Sequence, residues 1–254
     1  MILAVIFAFC LGFTPIESNQ ELAPEAVSRD VSAEITSLLE LLAPTLTNKV
    51  WVGPPDPDKI RKVRAALVKI AGQSPESRKK VIDVLVKVLN DPKGEFDFNE
   101  VVRWRTAVEL LGDLNAIESI EDLVKNIKWT SYNGSPHPTP PVRAALVRIG
   151  EPAVPRLLGS LFDANELTRL EASEALGSIG ESSFSGLLKV LASSSPVARA
   201  SAAHSIALIG GARAREAIEI AVHLETNEKT RARLEDAIKY MNHVECLRDS
   251  TKRR

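Results

Sequence analysis

The stretch from Val142 to Phe162, VRAALVRIGEPAVPRLLGSLF, restricts the whole chain to a narrow set of folds. Val142, Ala145, Leu146 and Ile149 fall at i, i+3, i+4 and i+7, the spacing of one apolar helix stripe. Gly150 ends that helix and Pro152 opens a second, in which Val154, Leu157, Leu158 and Leu161 repeat the spacing. Two helices this short cannot bury a shared face alone, so they must stack on copies of themselves.

The copies are present in one register. With Ile149 as position zero, the stripe occupies −7, −4, −3 and 0. The same positions read Val63, Ala66, Leu67, Ile70; Trp104, Ala107, Val108, Leu111; Ala172, Ala175, Leu176, Ile179; Ala202, Ser205, Ile206, Ile209; and Leu234, Ala237, Ile238, Met241. Position −4 is always Ala or Ser, and the zero positions are separated by 41, 38, 30, 30 and 32 residues. Second-helix stripes follow at Phe184, Leu187, Leu188, Leu191 and at Ala214, Ala217, Ile218, Ala221. In the first repeat the stripe is Val81, Val84, Leu85, Val88, and in the second Ile117, Ile120, Leu123, Val124, Ile127. Ile35, Leu38, Leu39 and Leu42 supply one more stripe upstream, an opening helix.

A period of about 30–40 residues with two helices per unit marks an α-solenoid. VRAALVR followed by IGEPAVPRLLGSLFD resembles the HEAT family, in particular the short HEAT-like repeats of phycobilisome lyases, over about residues 58–243. The resemblance implies an all-α fold, a right-handed superhelix of about five to six helix pairs. On function it is broad, because such repeats serve many roles. It also raises an alternative, an enzyme or enzyme subunit of the phycobilin-lyase kind. Those lyases act inside cells on antenna proteins, which the N-terminus of this chain opposes.

Residues Met1 to Phe13, MILAVIFAFCLGF, form an apolar run shorter than the ~20 residues that span a bilayer. The pattern predicts a signal peptide over 1–18, although no basic residue precedes the run. The expected location is secreted or periplasmic, with no integral membrane span after processing. An opening helix and linker then occupy 19–57, the solenoid 58–243, and a charged tail 244–254, for which solvated disorder is the default.

Charge and motifs bear on function class. Thirty-two basic against 33 acidic residues give a net charge of −1, which supplies no field for nucleic acid. Cys10 and Cys246, the two cysteines, lie at opposite ends. None of His137, His204, His223 and His243 is followed by Glu, whereas deoxyhypusine hydroxylases, iron enzymes on HEAT-like repeats, carry His-Glu pairs. No HExxH, GxSxG or Gly-rich phosphate loop occurs. The expectation is a protein that is not an enzyme, with no catalytic residue, metal or cofactor. Its partner is expected to be another protein or peptide, met as a monomer or within a hetero-complex.

Two features are candidate sites. Arginines recur at −6 (Arg64, Arg105, Arg143) and then at −10 (Arg169, Arg199, Arg231). They suit an inter-repeat ladder, each guanidinium bonding a carboxylate or helix-end carbonyl, with Asp91 and Asp163 as candidate partners. Long connections carry Trp51, then Phe96 and Phe98, then Trp129, Tyr132 and His137. All three leave a second helix and enter a first helix, so they share one edge, where repeat proteins often bind. Trp104, by contrast, sits on the stripe and is expected in the core.

Overall fold

The computed structural model describes residues 31–42, 56–91, 98–128, 131–132, 135–136 and 140–252. Turn chemistry cuts this sequence into helices at regular places. Ser74, Asn165, Ser195 and Asn227 each accept a backbone N–H three residues on through their side-chain oxygens, which caps the helices that follow. Pro57, Pro75, Pro141 and Pro196 open helices at a position whose N–H has no intrahelical use. In the regular repeats Gly150, Gly180 and Gly210 close the first helix at φ 74°, 82° and 76°. Their N–H groups donate to Leu146, Leu176 and Ile206, all at position −3. Asn115, just past α4 in the second repeat, also has a positive φ, 48°.

An opening helix, α1 (Val31–Glu40), precedes five pairs. They are α2 (Pro57–Ala71) with α3 (Pro75–Asn90), α4 (Phe98–Asp113) with α5 (Ile120–Lys125), and α6 (Pro141–Ile149) with α7 (Val154–Ser160). Then come α8 (Glu166–Ile179) with α9 (Glu181–Leu191), α10 (Pro196–Ile209) with α11 (Ala212–Leu224), and closing α12 (Glu228–Lys252). Short 3-10 turns lead into α5 and α7. First helices pack on first helices, α4 on α6, α6 on α8, α8 on α10 and α10 on α12. Second helices form a parallel row, α3, α5, α7 and α9. The protein is therefore an all-α solenoid with a HEAT-like helical repeat. Between α5 and α6, a two-residue antiparallel ladder pairs Ser131 (β1, Ser131–Tyr132) with Pro136 (β2, Ser135–Pro136). The tail continues α12 to Lys252, because nothing in Cys246–Lys252 breaks a helix already nucleated upstream.

The stripes form one continuous core. Among the first helices only Ala66, Trp104, Ile179, Ile209 and Ile238 of the 24 stripe positions are half-buried rather than buried, so the register is a packing register throughout. Position −4 is small because helices meet there. A Cβ on Gly112 of α4 would lie 2.8 Å from the Ala145 Cα of α6. Three expected second-helix stripes are redrawn by packing, the α9 one at Leu188, which is 39% exposed. In α3 the fully buried residues are Val81, Ile82, Leu85 and Leu89, with Val84 and Val88 half-buried, because α1, α2 and α4 all lean on that helix. Ile117 is 49% exposed, since it falls in the 3-10 turn before α5 and faces outward.

Candidate functional site

Only part of the arginine column runs between repeats. Arg64 of α2 bonds Glu109 at 2.6 Å and also Asp113, both on α4 of the next repeat. Arg105 bonds Glu109 on its own helix at 2.8 Å. Arg143 of α6 reaches Glu171 at 3.5 Å and Glu174 at 3.4 Å, both on α8. The −10 arginines instead bind the junction just before their own helices. Arg169 donates to the Asp163 carbonyl at 2.8 Å, Arg199 to Ser193 at 2.9 Å and Arg231 to Glu225 at 3.0 Å, each acceptor six residues back. A cap residue lies four back in all three, so Asn/Ser-x-x-x-Arg is the sequence signal for this tie. Asp163 thus takes part through its carbonyl, while its carboxylate accepts the Asn165 N–H.

Arg199 does both jobs. Its Nε and Nη2 donate to the two Glu225 carboxylate oxygens at 2.7 Å each, a bidentate pair. The Glu225 side chain is 2% exposed. The Arg199 hydrogen bond holds the Glu225 carboxyl below its usual range, opposed by burial and aided by the N–H of Asn227.

A polar cluster that sequence reading does not single out lies on the first-helix layer. His204 of α10 places Nε2 2.9 Å from Glu174 Oε1 of α8. Both residues occupy position −5 of their repeats, so the register itself makes them neighbours. The His204 hydrogen bond, more than Arg143, depresses the Glu174 carboxyl. Glu171, 5% exposed, behaves oppositely: burial raises its pKa, Arg143 opposes that, and Glu174 adds to it. Its Oε2 accepts no hydrogen bond. An acid whose folded pKa is raised costs stability as pH climbs through that value, and costs nothing below its unfolded pKa. Glu171→Gln, which mimics the neutral acid, is therefore expected to melt higher than the parent at pH 7. The gain should disappear as pH falls below the ordinary glutamate range, a comparison made by thermal melts across pH. A lower melting temperature at pH 7 would show that the Arg143 contact outweighs the burial.

Of the loop residues, Trp51, Phe96, Trp129 and His137 lie outside the described residues. Phe98 opens α4, and Tyr132 pairs with Ser135 in the short ladder. Trp104 is half-buried against the core, and its indole N–H donates to the Leu89 carbonyl at the end of α3 at 3.3 Å.

The edge where those loops enter first helices also has a described apolar surface. Leu167 on α8 and Val197 on α10 are both 48% exposed and share position −12 in adjacent, packed helices. Leu170, one turn on from Leu167, is 44% exposed, and Phe162 at the preceding junction is 48% exposed. Single exposed apolar side chains are ordinary, but neighbours in register make a strip. Among the described residues, no group of three or more His, Cys, Asp or Glu is placed to hold a metal ion. No described helix is long and apolar enough to cross a membrane.

No protein-family model and no curated protein matches the chain. Solved structures overlap it loosely. An engineered protein is 17% identical over 83% of this chain and 97% of its own, at a TM-score of 0.33. Human deoxyhypusine hydroxylase in complex with glycerol is 18% identical over 84% and 97%, also at 0.33. A second engineered protein is 22% identical over 83% and 61%, at 0.31. The solenoid rests on the helix order and register above; these overlaps carry no statement about chemistry.

Proposed function

We propose that this chain is a non-catalytic scaffold of the HEAT-repeat kind that binds another protein or peptide outside the cytoplasm. The observation that carries the reading is the strip of Leu167, Leu170 and Val197 on the edge that receives the long connections. A partner covering it would bury apolar surface worth about 25 cal/mol per Å2. The aromatic connections around Trp51, Trp129 and Tyr132 extend the same edge in sequence, and the apolar run at 1–13 supports export. The proposed −7/−4/−3/0 repeat of the short phycobilisome-lyase type is the family reading that this register favours.

Leu167→Asp with Val197→Asp is the test. Both sites are exposed, so the double variant should melt within a few degrees of the parent. Partners captured by the parent protein from an extracytoplasmic fraction should be lost from the variant. Undiminished capture by a folded variant would remove the strip from the binding surface.

A further inference from the structure

The row of second helices opens between α9 and α11. Elsewhere in that row the stripes are built from Leu, Val, Ile and Phe, but α11 has Ala214, Ala217, Ile218 and Ala221. Three small residues cannot fill the space that larger ones fill between α7 and α9, and α11 leans on α10 and α12 instead. A cavity of about 690 Å3 results, open along one side. Its walls are Leu188 and Leu191 of α9 and Ile220 and Leu224 of α11, with Ala217 and Ala221 as floor. Leu188, Ile220 and Leu224 are 39%, 53% and 76% exposed, large apolar side chains that no other described residue covers.

The polar groups of this trough sort by position. At one end Arg213 stacks 4.0 Å from the Phe184 ring centroid and bonds Glu181 at 2.6 Å, tying α11 to α9. At the other end Arg199 is held by Glu225. Both cations are thus already matched. Glu216, exposed on the lining, has no ion pair among the described residues. Among the described residues the trough therefore presents an apolar floor and, at Glu216, a negative charge on its wall without an ion pair. Its length is that of α9, 11 residues or ~16 Å, about three helical turns.

We propose that this trough docks an amphipathic helix of a protein partner, with apolar side chains at i, i+3, i+4 and i+7 and a Lys or Arg aimed at Glu216. The occupant takes the place that large stripe residues of α11 would have filled, the helix-in-groove mode of recognition. Small residues on the floor let its backbone approach closely. The inference stands on a different face from the Leu167–Val197 strip and does not depend on it.

The test uses the full chain and a short capped helical peptide of Leu, Ala and Lys with leucines at that spacing. Controls are the same peptide with Glu for Lys, and a scrambled one. Binding should shift the methyl resonances of Leu188, Leu191, Ile220 and Leu224, and the Lys peptide should bind about two- to fivefold more tightly than the Glu peptide. Glu216→Lys should reverse that order. Ala217→Leu with Ala221→Leu, which fills the trough, should abolish the shifts while leaving the melting temperature unchanged or raised. Should the double variant fail to fold, the peptide reversal by Glu216→Lys decides alone. Shifts elsewhere, equal binding of the scrambled peptide, or binding unaffected by Glu216→Lys would overturn the proposal. So would a parent protein that is dimeric by light scattering and becomes monomeric on filling, which would assign the trough to a second copy.

Discussion

Replacing Leu157 with Ala is expected to destabilise the protein by about 2–5 kcal/mol, the range for deleting a fully buried leucine side chain. Leu157 has no exposed surface and sits on α7, a helix of only seven residues. A helix that short is unstable alone and exists because its apolar face is packed. That face meets α5, α8 and α9, so three neighbours lose contacts at once. Thermal melts followed by far-UV circular dichroism should shift down by roughly 5–15 °C for a chain of this size. Because repeats touch only their neighbours, a weakened central unit should also broaden the urea transition. A shift under about 0.5 kcal/mol would mean that Leu157 is not core.

The second large effect is expected at Arg199. Removing it takes the bidentate partner from the Glu225 carboxylate, which lies beside the open trough. Losing charge-assisted hydrogen bonds of this kind costs about 1.5–3 kcal/mol, since water in the open trough and the Asn227 N–H still reach the freed carboxylate. Arg199→Ala also frees the Ser193 carbonyl, so the α9–α10 junction should show increased amide hydrogen exchange. Arg199→Lys should recover only part of the loss, since an ammonium cannot make both parallel bonds. The pH dependence has a definite sign. Glu225 titrates below its usual value in the folded state, so its contribution is complete above the ordinary glutamate range. It is lost as pH falls through the depressed folded value. In Arg199→Ala that acid-side decline should be shallower. An unchanged melting temperature in Arg199→Ala would assign the pair no structural weight.

Much of this was legible because one period governs helices, turns and core alike. Val142 to Ile149 predicts the buried face of every first helix, and the glycine at +1 of the regular repeats predicts its end. What periodicity cannot express is which neighbours a helix has. Ile82 and Leu89 are buried because α3 lies among several helices, and a single stripe allows for one facing surface. The arginine partners escaped for the same reason. Asp163 is a partner through its carbonyl, one of the two kinds of acceptor expected, while spacing does not mark Glu109, Glu171 and Glu225. His204 and Glu174 were legible in principle, since both stand at −5. The trough was in plain view as Ala214, Ala217 and Ala221, yet a stripe counts apolar positions and not their volume. The aromatic connections carry no such periodic constraint, and most of their candidate residues lie outside the described residues.

One register running through the repeats, which makes residues thirty or so apart into neighbours, is the claim on which every contact between repeats depends. Leu167, Val197 and Lys229 all stand at −12 and are all exposed. With Cys10 and Cys246 replaced by Ser, nitroxide labels can be placed on these positions in pairs and read by dipolar electron paramagnetic resonance. Packed helices are about 8–10 Å apart, so Leu167/Val197 and Val197/Lys229 should couple strongly, and Leu167/Lys229 should be separated by about twice as much. Absent coupling in either adjacent pair, or a Leu167/Lys229 separation no longer than the adjacent ones, would contradict the stack.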